Sequence, residues 1–228
     1  MRSLLLERFD EWRFVQLSIT FVVLMLVMPE LEQYILLKAV ASLFLLNALL
    51  VAISTHVGRV ARVLLWTLWG ITVVAGVVEE LPIAPPARLA CHVAAVVALT
   101  TAVIVCCSRI LRVVFRSERI TVDSIFGSIV AYQLIGLFFA GVYTLLMLAD
   151  PGSFRGAGVA SAAPSLLQND MAYYSFVTLA TLGYGDIVPA SSIARSIAVT
   201  EALVGQFYVA VVVALLIGAY LSRRYAER

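Results

Sequence analysis

Apolar and polar positions alternate along the chain as six long apolar blocks separated by short charged or proline-rich breaks. Each block lies near the ~20 apolar residues a helix needs to cross a ~30 Å hydrocarbon core. The first runs from about Phe14 to Met28 and is expected to stop at Pro29-Glu30. Basic residues precede it, but no small-residue cleavage signal follows, so it reads as a retained span. The second covers about Gln33 to Ser54, and the third, the shortest, about Val63 to Val78, ending at Glu79-Glu80. The stretch Leu81-Pro82-Ile83-Ala84-Pro85-Pro86 then breaks any helix, because proline lacks an amide donor and clashes with the preceding turn. The fourth block is about Ala87 to Cys107, the fifth Ile125 to Leu148 and the sixth Ser192 to Leu221. Between the last two, Ala149 to Gln168 is small and polar and reads as an exposed loop. Asp170 to Ala180 reads as a short helix, with Asn169 or Asp170 as its cap.

Composition agrees with that pattern. The chain is 62% hydrophobic and 13% charged, with mean hydropathy +1.01. A soluble domain of this length could not cover so much apolar surface with so few charges. A net charge of +2 gives no reason to expect a nucleic-acid partner; the expected surroundings are a lipid bilayer. Cys91, Cys106 and Cys107 all lie in the fourth block and read as small packing residues rather than metal ligands or a disulfide. His56 and His92 stand alone at block edges without ligand spacing. No phosphate loop, no nucleophile elbow and no paired carboxylates at helical spacing within a span appear, so neither an enzyme nor a cofactor is expected.

The distribution of basic residues sets an orientation. Arg2, Arg8, Arg13, Arg59, Arg62, Arg109, Arg112, Arg116, Arg119, Arg223, Arg224 and Arg228 fall on one side of the alternating spans; Lys38, Arg88, Arg155 and Arg195 fall on the other. The richer side is expected to be cytoplasmic. Both termini then face the cytoplasm, in a multi-pass protein of the cell membrane. The four residues after Arg224 leave the expectation of no appended nucleotide- or calcium-sensing domain.

The chemistry lies in one stretch, Thr181-Leu182-Gly183-Tyr184-Gly185-Asp186. Two alternate glycines allow backbone angles closed to other residues, so successive carbonyls can point the same way. Four such ladders around an axis replace the water shell of a monovalent cation. The hexapeptide resembles the selectivity filter of the potassium channels, usually Thr-Val-Gly-Tyr-Gly-Asp. Tyr173 and Tyr174 stand where that family has an aromatic pair on its pore helix, and Gly205 where it has an inner-helix hinge glycine. The resemblance covers roughly residues 124–224. Leu182 replaces the usual valine, and Val177 stands where some members place a buried carboxylate.

The resemblance implies an all-α membrane protein with six transmembrane helices, a re-entrant pore helix and a filter loop. Residues 1–120 would be a four-helix N-terminal membrane domain with a cytoplasmic linker helix, and residues 121–228 the pore domain. K+ would be held by Thr181, Leu182, Gly183, Tyr184 and Gly185, chiefly by the carbonyls of the first four and the Thr181 hydroxyl. Tyr173, Tyr174, Val177 and Asp186 would support the filter, with Tyr184 packed on Tyr174. One chain supplies one ladder, so three identical subunits complete a homotetramer.

Gln206, Val209, Val213 and Ile217 recur at helical spacing in the sixth block and either line the pore or pack on the fifth block. Gly205 is either a hinge or a close-packing residue. Glu201, an acid inside the same block, is by default a functional candidate; its other reading is a hydrogen bond behind the filter, with no partner evident. Arg109, Arg112, Arg116 and Arg119 follow the fourth block instead of lying within it, so they read as a surface linker touching anionic lipid. The alternatives are a degenerate voltage sensor and a transporter subunit. Transporters with such loops carry four copies, and this chain carries one.

Overall fold

The computed structural model describes residues 12–31, 59–79, 84–116, 120–156 and 164–226. The second apolar block, Gln33 to Ser54, together with Arg119 and the segment before Trp12, lies outside the described residues. The described chain is mostly helical: α1 (Arg13–Leu31), α2 (Arg59–Glu79), α3 (Pro85–Arg116), α4 (Val122–Ala149), β1 (Phe154–Gly156), α5 (Pro164–Leu179), β2 (Ile187–Pro189), α6 (Ser192–Phe207), a π-helical segment (Tyr208–Val213) and α7 (Ala214–Ala226). Among the described residues, three stretches are long and apolar enough to cross a membrane: Pro85–Arg116, Val122–Ala149 and Ser192–Ser222. Arg13–Leu26 and Arg62–Val78 are apolar but shorter.

Several expected boundaries move, each for a local reason. Helix α1 does not stop at Pro29 but ends at Leu31; a proline in the last turn forfeits one intrahelical bond without blocking the residues beside it. Pro85 and Pro86 start α3 instead of breaking it, since the first turn has no amide bonds to lose. The arginine row is not a separate linker helix: Arg109, Arg112 and Arg116 continue the fourth apolar helix without interruption. Helix α5 begins at Pro164, so Asn169 and Asp170 lie inside it and do not cap it. The expected Ala149–Gln168 loop holds a strand, β1, that pairs antiparallel with β2 in the register Phe154↔Pro189, Arg155↔Val188, Gly156↔Ile187. The fold is therefore not purely α.

The chain divides into two units. One comprises Met1–Leu64, Val105–Gln133 and Val211–Arg228. In it, Asp123 caps α1 from α4: its Oδ1 accepts from the Phe14 amide at 2.8 Å and the Val15 amide at 3.4 Å. Arg13 Nε lies 3.8 Å from Asp123 Oδ2. Thr121 and Ser124 cap the start of α4 reciprocally, each amide donating to the other's hydroxyl at 3.3 and 3.2 Å. Gly127 lets Phe14 of α1 and Val114 of α3 approach α4 closely.

The other unit comprises Leu65–Ile104 and Leu134–Ala210. Its core is Phe139, Tyr143, Met147, Phe154, Leu167, Met171, Tyr174, Ile187, Ala194 and Ala198. Tyr143, Phe154 and Tyr174 meet edge to face, with centroids 5.0–5.3 Å apart, a geometry worth about 0.5–1.5 kcal/mol per pair beyond burial. The α4–β1 turn is tied by Asp150, whose carboxylate accepts from the Gly152 amide and the Ser153 hydroxyl, both at 3.0 Å. The Ser153 carbonyl in turn accepts from the amides of Ala190 and Ser191. Ser191 caps α6 by accepting from the Ala194 amide at 3.1 Å. Thus both ends of the Thr181–Asp186 segment are anchored: one by α5, the other by β2 and the α6 cap.

Candidate functional site

Helix α5 ends at Leu179, two residues before the motif. The Leu182 amide donates to the Val177 carbonyl and the Thr181 amide to the Thr178 carbonyl, both at 2.9 Å. With Thr181 in the left-handed region at φ 58°, this is the Schellman closure of a helix C-terminus, in which a left-handed residue turns the chain back over its last carbonyls. That position usually carries glycine. A β-branched threonine there is strained, by about 1–3 kcal/mol.

Positive φ then recurs at every second residue: Thr181 at 58°, Gly183 at 58° and Gly185 at 81°. An alternation of positive and negative φ turns successive peptide planes so that their carbonyls need not point to opposite sides, as they do in a strand. The Leu182 amide is used up on Val177, where Gly183 also donates at 3.5 Å. Val177 therefore touches the motif through its carbonyl, while its side chain is buried.

On the far side of the motif, Tyr173 donates to Asp186 Oδ2 at 2.7 Å, and the Ile187 amide donates to Asp186 Oδ1 at 3.1 Å. The Tyr173 hydroxyl, helped by that amide, holds the Asp186 carboxyl below the usual carboxylate range. Gly156 of β1 lies flat against the Asp186 carbonyl, so that a Cβ there would overlap it.

The other expected site residues fall as follows. Tyr174 does not pack on Tyr184 in this chain. It is buried against Tyr143 and Phe154, whereas Tyr184 is 65% and Leu182 56% exposed. Gly205 is buried, and a Cβ on it would overlap the Leu179 carbonyl oxygen at the end of α5; this is the close-packing reading of that glycine. Gln206, Val209 and Ile217 are exposed and Val213 is half-buried. The π-helical segment Tyr208–Val213 lies within that series. A π turn takes more residues than an α turn, so a stripe spaced for an α-helix does not keep one face across it.

Glu201, for which the sequence offers no partner, is fully buried and has two. Tyr143 of α4 donates to its Oε2 at 2.6 Å, and Ser175 of α5 contacts its Oε1. Ser175 also reaches the Gly136 carbonyl of α4 at 2.7 Å. Tyr143, Ser175 and Gly136 are absent from the sequence-based set. The signal for two of them was present: a buried acid requires donors, and hydroxyls inside otherwise apolar helices are where to seek them. No cluster of potential metal ligands occurs among the described residues.

Residues 163–222, from the start of α5 into α7, match the ion-channel family. The chain is 34% identical over 98 residues to the protein LctB of Bacillus caldotenax, a stretch that makes up 42% of this chain and 72% of that protein. The LctB of Geobacillus stearothermophilus matches with the same identity and coverage. No solved structure matches. With long apolar helices around a glycine-rich loop, and a relative matched over most of its own length, the protein is a helical membrane ion channel: it belongs to the LctB family, and its residues 163–222 to the ion-channel family.

Proposed function

We propose that this channel is potassium-selective and conducts as a homotetramer through a ring of four Thr181–Gly185 segments. The observation that carries the reading is the alternation of positive φ at Thr181, Gly183 and Gly185 within a hexapeptide that resembles the potassium filter. Carbonyls of Thr181, Leu182, Gly183 and Tyr184, with the Thr181 hydroxyl, form stacked cation sites, and ions in file repel one another onward. Helix α5 is the pore helix; its partly negative C-terminus favours a cation beside the loop. Non-helical backbone at membrane depth is tolerated because it lines a water-filled path.

The exposed Leu182 and Tyr184 are the surfaces that neighbouring copies cover in this assembly. Six spans cross the cell membrane, with both termini cytoplasmic, residues 121–228 as the pore domain and residues 1–120 as the N-terminal domain. The test is cross-linking in membranes followed by potassium flux from reconstituted vesicles. The expected result is a four-chain product and barium-blocked flux; a two-chain limit product with no barium block contradicts the reading.

A voltage-sensing role has one observation in its favour: Arg109, Arg112 and Arg116 continue the fourth apolar helix instead of leaving it. Neutralising Arg109 and Arg112 shifts the voltage dependence of opening under that reading, and leaves it in place otherwise.

A further inference from the structure

The three contacts that surround Glu201 can be counted in hydrogens. Tyr143 Oη and Glu201 Oε2 are 2.6 Å apart, Ser175 Oγ and Glu201 Oε1 2.5 Å, and Ser175 Oγ and the Gly136 carbonyl 2.7 Å. Three hydrogen bonds need three hydrogens. A tyrosine hydroxyl has one, a serine hydroxyl has one, and a backbone carbonyl and an ionised carboxylate have none. An ionised Glu201 therefore leaves one of two close oxygen pairs, Ser175–Glu201 or Ser175–Gly136, with no hydrogen between its atoms. That is a repulsive contact inside a fully buried cluster.

One added proton resolves the count, and only one position for it does. A hydrogen on Oε1 is donated to Ser175 Oγ, Ser175 passes its own to Gly136, and Oε2 still accepts from Tyr143. A hydrogen on Oε2 would leave the Ser175 pairs one short as before. The surroundings agree. The groups facing the carboxyl are Tyr143 from α4 and Ser175 and Tyr174 from α5, all uncharged. Among the described residues no arginine, lysine or histidine pairs with Glu201. A carboxylate buried without a cation keeps an uncompensated charge out of water, which disfavours its ionised form.

We infer that Glu201 is a neutral carboxylic acid and a positioning residue, which holds α6 to α5 and α4 through the relay Tyr143→Glu201→Ser175→Gly136. The relay sits two residues from Val177, whose carbonyl anchors Leu182 and Gly183. On the α6 side, it lies one turn before Gly205, which abuts Leu179. Two contacts one turn apart on α6, one polar and one steric, thus fix where α5 ends and the carbonyl ladder begins. The inference rests on the channel reading for its consequence, but not for its chemistry.

The test uses the full-length protein in vesicles. The infrared difference spectrum between wild type and Glu201→Gln is expected to contain the carbonyl stretch of a protonated carboxylic acid, lost in the variant. A pair of carboxylate stretches in its place overturns the inference. Glutamine reproduces the neutral acid, with its oxygen accepting from Tyr143 and its amide donating to Ser175, but it cannot reproduce a carboxylate. Glu201→Gln is therefore expected to keep the assembled state and the K+-over-Na+ flux ratio of wild type, while Glu201→Ala loses the ratio. If Glu201→Gln falls as far as Glu201→Ala, the relay is overturned. A wild-type protein that passes no K+ would count against the channel reading, and the infrared result would still decide the protonation state.

Discussion

The back and the front of the Thr181–Asp186 segment are built differently. At the back, helix ends, hydroxyls and carbonyls are partnered: Val177 with Leu182 and Gly183, Thr178 with Thr181, Ser175 with Gly136 and Glu201, Tyr173 with Asp186. Ser175, Val177 and Glu201 are buried there, beside Tyr174, which belongs to the aromatic core with Tyr143 and Phe154. At the front, Leu182 and Tyr184 are exposed, and among the described residues none beyond the chain neighbours lies within 4 Å of where a Cβ on Gly183 or Gly185 would sit. A loop held on one side only makes sense where the other side meets something outside the chain. In the proposed channel these are ions and neighbouring copies. The lesson is that a carbonyl ladder needs a stiff frame, because bare backbone oxygens have no packing of their own to keep them aimed.

Breaking the front should have the largest effect. With Gly183 and Gly185 both changed to alanine, two side-chain-bearing residues are forced to φ 58° and 81°, at about 1–2 kcal/mol each. Potassium flux should vanish while cross-linking still yields the full assembly. Flux at the wild-type rate would mean that the loop does not conduct.

The steric contact at the back comes next. A Cβ at Gly205 overlaps the Leu179 carbonyl oxygen, so Gly205→Ala should destabilise the protein by about 1–3 kcal/mol, read as a lower thermal midpoint in detergent. A hinge-only glycine would instead leave the midpoint alone and alter opening. Ser175→Ala should cost a similar about 1–3 kcal/mol, since it strips the buried acid of its acceptor; an unchanged midpoint would show that the buried relay adds no stability.

Gly156 tests the outer anchor. Alanine there pushes β1 off the Asp186 carbonyl and should lower K+-over-Na+ discrimination with little loss of assembly. Discrimination equal to wild type would show that the β1–β2 pair is decoration.

The smallest effect is expected from Tyr173→Phe. The hydroxyl keeps the Asp186 carboxyl below its ordinary range, so what the ionised group contributes is complete above the unperturbed value of about 3.9 and is lost only as pH falls through the lowered one. Phenylalanine removes the main cause of the lowering, so the acid-induced loss of flux should move to higher pH. A shift to lower pH, or none, would contradict that bond.

Much of this could be read from the residues. Apolar blocks long enough to span a membrane state their own helicity, and α3, α4 and the long final helix lie where the fourth to sixth blocks do. What escaped did so for physical reasons. Prolines 29, 85 and 164 act by their position within a turn, and the sequence shows only that they are prolines. A three-residue strand such as Phe154–Gly156 has no periodicity to detect, and its partner lies beyond α5. The π-helical segment Tyr208–Val213 consists of apolar residues that fit an α-helix equally well. At the site, Thr181-to-Asp186 was evident as a motif. Thr181 as the left-handed closing residue of α5 was not, because threonine is a poor candidate for that role. Glu201 stood out as an acid among apolar residues; its partners, 58 and 26 positions away, belong to tertiary structure.

The central claim is selectivity, and the most direct measurement is the reversal potential of the purified channel in a bilayer with K+ on one side and Na+ on the other. The account predicts a potential close to that of a membrane permeable to K+ alone, carried by a current that barium blocks. A potential near zero, with both ions carrying current, would contradict it and would mean that the ring of Thr181–Gly185 segments, with Leu182 in place of valine, does not discriminate between them.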